Sequence, residues 1–208
     1  MARRRTKPAA DPPAFPCAVV IDTREQNPYA VARIPADAYQ GEGLLSIRTE
    51  VRTLRTGDYS LAGYEARVAV ERKSLADAYG TFGQGRERFE RELLRLNGMQ
   101  FAAVIVEAEW SEVLGNPPPH TQLSPKTIYR SVLAWQQRFT RVHWWFMPGR
   151  AAAEVTTFRV LERFWKERME EARVGKVERA VRTLLPAEGE GEEAGEGEEP
   201  TTEGQQGE

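Results

Sequence analysis

Gly57-Asp58 is followed, after the twelve residues Tyr59 to Val70, by Glu71-Arg72-Lys73, and Asp77 stands after a three-residue gap. Two carboxylates and a lysine are the groups needed to cut a phosphodiester with water. The phosphate charge must be neutralised, the nucleophile activated and the leaving oxyanion stabilised. Mg²⁺ binds through one or two carboxylates and keeps several waters, so Asp58 and Glu71 form a sufficient protein cage for Mg²⁺ or Mn²⁺. The Arg72 carbonyl is an expected further ligand. Glu71 and Lys73 lie two apart on an expected strand and so share a face, which lets Lys73 orient or activate the attacking water. Asp22, at the exit of an earlier apolar run, supplies a third acid for the same metal site. An isolated E-x-K is more often a structural salt bridge, and the surrounding context decides for the metal site.

The elements that must position these groups are legible from periodicity. Cys17-Ala-Val-Val-Ile-Asp22 is a short apolar run, the pattern of a buried strand. A strand is expected over Leu45 to Thr53, then a hairpin from Asp58-Tyr-Ser-Leu-Ala-Gly63 into Tyr64 to Lys73, with Gly63 at the turn. Ser74 caps a helix that continues through Arg86 to Leu96 and stops at Asn97-Gly98. Phe101 to Val106 and Val142 to Met147 read as further strands. Ser124-Pro125 opens a helix to about Arg138, and Ala151 to about Leu185 reads as one long helix or a broken pair. Strands followed by alternating helices and strands give an α/β fold, a mixed central sheet flanked by helices.

The chain has 208 residues and 40% hydrophobic content, enough for one domain, expected over residues 17–185. Residues 1–16 read as a flexible basic arm. Residues 186–208 hold nine Glu and no Lys or Arg, a composition expected to stay disordered. Removing those nine glutamates takes the formal charge from -2 to +7, so the body is basic and suits a polyanionic partner. The tail is expected chiefly to be a solvated segment, with restraint of that body by mimicking DNA as the sharper alternative. A single cysteine, Cys17, rules out an internal disulfide, and no signal peptide or membrane-spanning stretch is visible, so an intracellular protein is expected.

Several separated blocks match one family in order: Asp22-Thr-Arg24-Glu25, Gly57-Asp58-Tyr59, Glu71-Arg72-Lys73-Ser74 with Asp77, and Gly85-Arg86. Together they resemble the XPF-type nuclease domain of the PD-(D/E)XK superfamily, from about Val19 to Trp165. The resemblance implies a restriction-endonuclease-like fold and metal-dependent incision of branched DNA such as flaps and forks, in DNA repair or recombination. It also implies a homodimer or heterodimer formed through the nuclease domain. It carries over Asp22, Asp58 and Glu71 as metal-site acids and Lys73 as the catalytic lysine, with Arg24, Glu25, Arg72, Asp77 and Arg86 in support. Two departures stand out: no helix-hairpin-helix module follows Leu185, where only the acidic tail is found, and Glu90 occupies a position where a Gln is expected.

Other chemistry has little support. His120 and His143 are the only histidines, too few for an ordinary zinc site, and no nucleotide-binding glycine motif is complete. Trp110, Trp135, Trp144, Trp145 and Trp165 are expected mainly in the core, with base stacking as the sharper alternative. Two rival functions share the fold: a non-catalytic DNA-binding scaffold, and an exonuclease or restriction-like nuclease acting on ordinary duplex.

Overall fold

Phe101–Val106 is apolar at every position, as a strand covered on both faces must be, and it lies within a six-stranded mixed sheet. The computed structural model describes residues 12–32, 34–36, 43–119 and 121–184, the last four without their side chains. In chain order the strands are β1 (Val19–Asp22), β2 (Thr49–Arg52), β3 (Tyr59–Leu61), β4 (Val68–Lys73), β5 (Phe101–Val106) and β6 (Val142–Phe146). The helices are α1 (Leu75–Phe82), α2 (Arg86–Asn97), α3 (Trp110–Gly115), α4 (Pro125–Arg138) and α5 (Arg150–Leu184). Sheet order is β2-β1-β3-β4-β5-β6. β1 runs parallel to β2 and antiparallel to β3, β3 is antiparallel to β4, and β4, β5 and β6 are mutually parallel.

The two-residue strand period sorts side chains onto two faces. Ala69, Ala102, Val104, Val142 and Trp144 pack with Phe82 of α1, Phe89 and Leu93 of α2, and Ile128, Val132 and Trp135 of α4. Val19, Ile21, Tyr59, Leu61, Val68, Val70, Ala103 and Ile105 pack with Phe158, Leu161 and Phe164 of α5. Burial of each large side chain contributes about 1.5–3 kcal/mol, so both helix layers are held chiefly by this apolar contact. The restriction-endonuclease-like sandwich read from the sequence is the fold observed.

Three boundaries differ from expectation. The hairpin turn is wider than a Gly63 turn, since β3 ends at Leu61 and β4 begins at Val68. The helix expected to run on from Ser74 breaks at Gly83, whose backbone (ψ −113°) leaves the helical region, and restarts at Arg86. The arm expected through Pro16 is packed by Phe15, which is 4% exposed and meets Phe158 and Trp165 edge-on at 5.1 and 5.5 Å. Phe15 N also donates to Ser46 O at 2.8 Å. A lone phenylalanine among Pro and Ala has no periodicity to announce it. Residues 1–11, the acidic tail and His120 lie outside the described residues.

The chain divides into two compact units, Met1–Met169 and Glu170–Glu208. All site residues discussed below belong to the first. In the second, the described residues are helical to Leu184 and include an Arg173–Glu170 ion pair at 2.7 Å.

Candidate active site

Gly57 sits at φ +75°, a left-handed conformation that disfavours any side chain, and a Cβ there would lie 2.8 Å from the Ala69 Cβ. This close crossing starts β3 at a fixed register: Asp58 N donates to Val70 O at 2.9 Å, and Asp22 N donates to Asp58 O at 2.8 Å. The Asp58 carboxylate therefore arrives beside β4, where its Oδ2 accepts the Arg72 N–H at 2.7 Å. Two residues apart on that strand, Lys73 Nζ donates to Glu71 Oε1 at 2.5 Å. The Lys73 ammonium also lies 4.7 Å from the centre of the Phe89 ring. Asp58, Glu71 and Lys73 share one cleft of about 810 Å³, whose walls also include Glu25, Asp77, Arg88, Glu92 and Arg95.

Burial and then the neighbouring Glu71 charge push the Asp58 carboxyl up to about 8, against the pull of the Arg72 N–H and Lys73. Burial likewise raises Glu71, with Lys73 opposing. Burial works against the Lys73 ammonium, but the Glu71 charge and hydrogen bond outweigh it and hold its pKa above the usual lysine value. Lys73 is therefore a cation at neutral pH. Two crowded carboxylates facing one cleft, each with an oxygen that accepts no hydrogen bond among the described residues, suit a hard divalent cation. No group of three or more His, Cys, Asp or Glu that could hold a metal ion is present among the described residues.

Asp22 is not brought into that cleft. Its carboxylate is 2% exposed, and both oxygens are engaged. Oδ1 accepts Arg24 N and Nε at 2.8 and 2.7 Å, and Oδ2 accepts Leu54 N at 2.6 Å and Arg24 Nη2 at 3.2 Å. Burial opposes the Asp22 charge, but these hydrogen bonds prevail and lower its pKa below the ordinary 3.8. The residue expected as a third metal acid thus ties β1 to the Leu54 segment through its carboxylate.

Arg72 points to the opposite face of β4 from Glu71 and Lys73. Its guanidinium grips Glu107 at 2.8 and 3.1 Å, meets Glu25 at 3.4 Å, and lies 5.6 Å from the Tyr29 ring centre. Glu107 in turn accepts from Arg150 at 3.2 Å, and Arg150 donates to the carbonyls of Asn27 and Pro28 at 2.9 and 2.8 Å. The Glu25–Pro28 loop on the cleft wall is thereby fastened to β4, β5 and α5. Arg24 lines the cleft with its side chain 66% exposed, while Asp77 closes the α1 cap with Ser74. Arg86 turns elsewhere, onto Ser131 Oγ at 2.6 Å and the Trp135 ring at 4.7 Å. Glu90 accepts the Trp135 indole N–H at 3.1 Å and meets Arg86 at 3.2 Å, a structural position between α2 and α4.

Sequence reading missed Arg88, Glu92 and Arg95 on the cleft wall and Glu107 and Arg150 behind it. Glu92 accepts hydrogen bonds from the Thr56 hydroxyl and from Gly57 N, the latter at 3.1 Å, and pairs with Arg95. Burial opposes its charge, but these donors lower its pKa. No local spacing links positions 35 residues apart, whereas Glu107 ends an apolar strand just as Asp22 does and carried a readable signal. Of the tryptophans, Trp135 and Trp144 are buried; Trp110 stacks on Phe146 at 3.8 Å.

The family model described as ERCC4 domain matches residues 21–157, which contain every residue of the cleft. Among solved structures, "XPF from Aeropyrum pernix" is similar at 18% identity and a TM-score of 0.51, covering 83% of this chain and 75% of that chain. A comparison with curated proteins finds no match.

Proposed function

This chain belongs to the ERCC4 domain family, an XPF-type nuclease domain, and from that premise we propose that it hydrolyses DNA phosphodiesters at the Asp58–Glu71–Lys73 cleft. The observation that carries the reading is the meeting of the Asp58 and Glu71 carboxyl groups in one cleft with Lys73, whose Nζ donates to Glu71 Oε1 at 2.5 Å. Asp58 and Glu71 would hold Mg²⁺ or Mn²⁺, which supplies positive charge at the phosphate and makes a bound water more acidic. Lys73, already a cation, donates to a phosphate oxygen or to the attacking water, and Glu71 keeps the ammonium at that edge. Arg88 and Arg95 on the cleft wall neutralise neighbouring phosphates, and Arg24 extends the same rim. Asp22 and Arg72 act from behind, the first through the backbone of Asp58 and the second through its own N–H and its grip on Glu107.

The preferred substrate on this reading is branched DNA, flaps or forks, with the chain working as a homodimer or heterodimer inside the cell. Among the described residues no helix is long and apolar enough to cross a membrane. A panel of linear duplex, single-stranded, flap, fork and four-way DNA, incubated with Mg²⁺ or Mn²⁺, tests the assignment. Faster incision of flap and fork near the junction is expected. Equal cutting of plain duplex would favour a restriction-like or exonuclease role, and binding without cutting of any substrate would favour a scaffold.

A further inference from the structure

Glu92 lies on α2, in a different element from Asp58, Glu71 and Lys73, yet it reaches the turn that presents Asp58. It accepts the Gly57 N–H at 3.1 Å and the hydroxyl of Thr56, a residue only 3% exposed. The other two main-chain anchors of this turn, Asp58 N to Val70 O and Asp22 N to Asp58 O, both come from strands. Glu92 is thus the side-chain anchor that ties the turn to the helical layer. With Gly57 confined to φ +75° against the Ala69 Cβ, the turn has little freedom to find a second acceptor for that N–H. A buried donor left without a partner is costly, and the turn would shift to satisfy it. Both Glu92 oxygens are already engaged, Oε1 by Thr56 and Gly57 and Oε2 by Arg95, so the carboxylate is committed to holding rather than to metal.

We propose that Glu92 is a positioning residue, which through Gly57 and Thr56 holds the Asp58 carboxylate where it can share a cation with Glu71. The proposal rests on the metal-site reading above. Residues that orient a ligand without touching the metal commonly change metal affinity by about 10–100-fold when removed.

The test compares the full chain with its Glu92→Ala and Glu92→Gln variants, using Mn²⁺ alone as probe. Mn²⁺ affinity is read by paramagnetic resonance titration, and amide hydrogen exchange by mass spectrometry across residues 54–60 and across α2. Glu92→Ala is expected to weaken Mn²⁺ binding by about 10–100-fold and to speed exchange in the Gly57 turn more than in α2. Glu92→Gln retains an oxygen acceptor and is expected to bind Mn²⁺ within about threefold of the unaltered chain, a rescue that a general packing role for the acid would not require. Unaltered Mn²⁺ affinity in Glu92→Ala overturns the proposal, as does exchange that rises across α2 while the turn stays protected. If Glu92→Ala unfolds the chain, Thr56→Val removes one of the two donors while sparing the helix. A weakened Mn²⁺ affinity in that variant supports the proposal, and an unaltered one overturns it. A chain that binds Mn²⁺ with the expected Glu92 dependence but cuts no DNA defeats the nuclease reading and leaves this inference standing.

Discussion

Lys73 Nζ lies 2.5 Å from Glu71 Oε1, two residues back on the same strand, and this contact makes the lysine a fixed cation at the edge of the cleft. Replacement by methionine keeps an unbranched apolar side chain at this position and removes the charge that lies 4.7 Å from the Phe89 ring centre. Cleavage by Lys73→Met is expected to fall by about 10²–10⁴-fold in single-turnover assays while circular dichroism remains that of the unaltered chain. A variant that cuts within tenfold of the unaltered rate would remove Lys73 from the chemistry.

Asp22 bears on pH dependence through stability. Its carboxyl is held below 3.8 when folded, so the stabilisation is present above the unfolded value and is lost as pH falls through the lower folded value. Asp22→Asn is therefore expected to lower Tm at pH 7, and the gap to the unaltered chain should close below about pH 4. Thermal unfolding from pH 3 to 8 reads this. A gap that persists unchanged at pH 3 would show that the carboxylate charge is not what ties β1 to Leu54.

Gly57→Ala must place a Cβ 2.8 Å from the Ala69 Cβ at a positive φ. A cost of about 1–3 kcal/mol from the backbone conformation alone is expected in urea unfolding, with cleavage lowered further because Asp58 is the next residue. Stability equal to that of the unaltered chain would mean that the turn adopts another conformation.

Glu107→Ala leaves the Arg72 guanidinium, 8% exposed, without its two-point partner and releases Arg150 from the same carboxylate. Breaking a buried pair in this way costs about 3–5 kcal/mol, against about 0–1 kcal/mol for a pair in solvent. Chemical denaturation separates the two ranges, and a loss in the lower one would mean that solvent screens the network.

How much of this was readable depended on the range over which the chemistry is encoded. The strand period placed Glu71 and Lys73 together, and the unbroken apolar run of Phe101–Val106 announced a central strand. Gly57 before Asp58 marked a turn. The break between α1 and α2 was legible only in Gly83 and Gly85, which a helical pattern on both sides obscured. Glu92 stands three residues before Arg95 on α2, and its bond to Gly57, 35 residues away, forms only once α2 is folded against the sheet. Asp22 was readable as an acid at a strand exit, but whether such an acid faces the cleft or the backbone depends on Leu54 and Arg24, which the local pattern does not connect to it.

On the proposed reading Asp58 and Glu71 hold the cation that cuts DNA. The direct measurement is the single-turnover cleavage rate of a flap substrate as a function of Mg²⁺, for the unaltered chain and for Glu71→Gln and Asp58→Asn, with chelator as control. Saturable Mg²⁺-dependent cutting by the unaltered chain, abolished by chelator and by either substitution, is the predicted result. Cutting that persists in chelator, or that both variants retain at the same Mg²⁺ concentration, would contradict it.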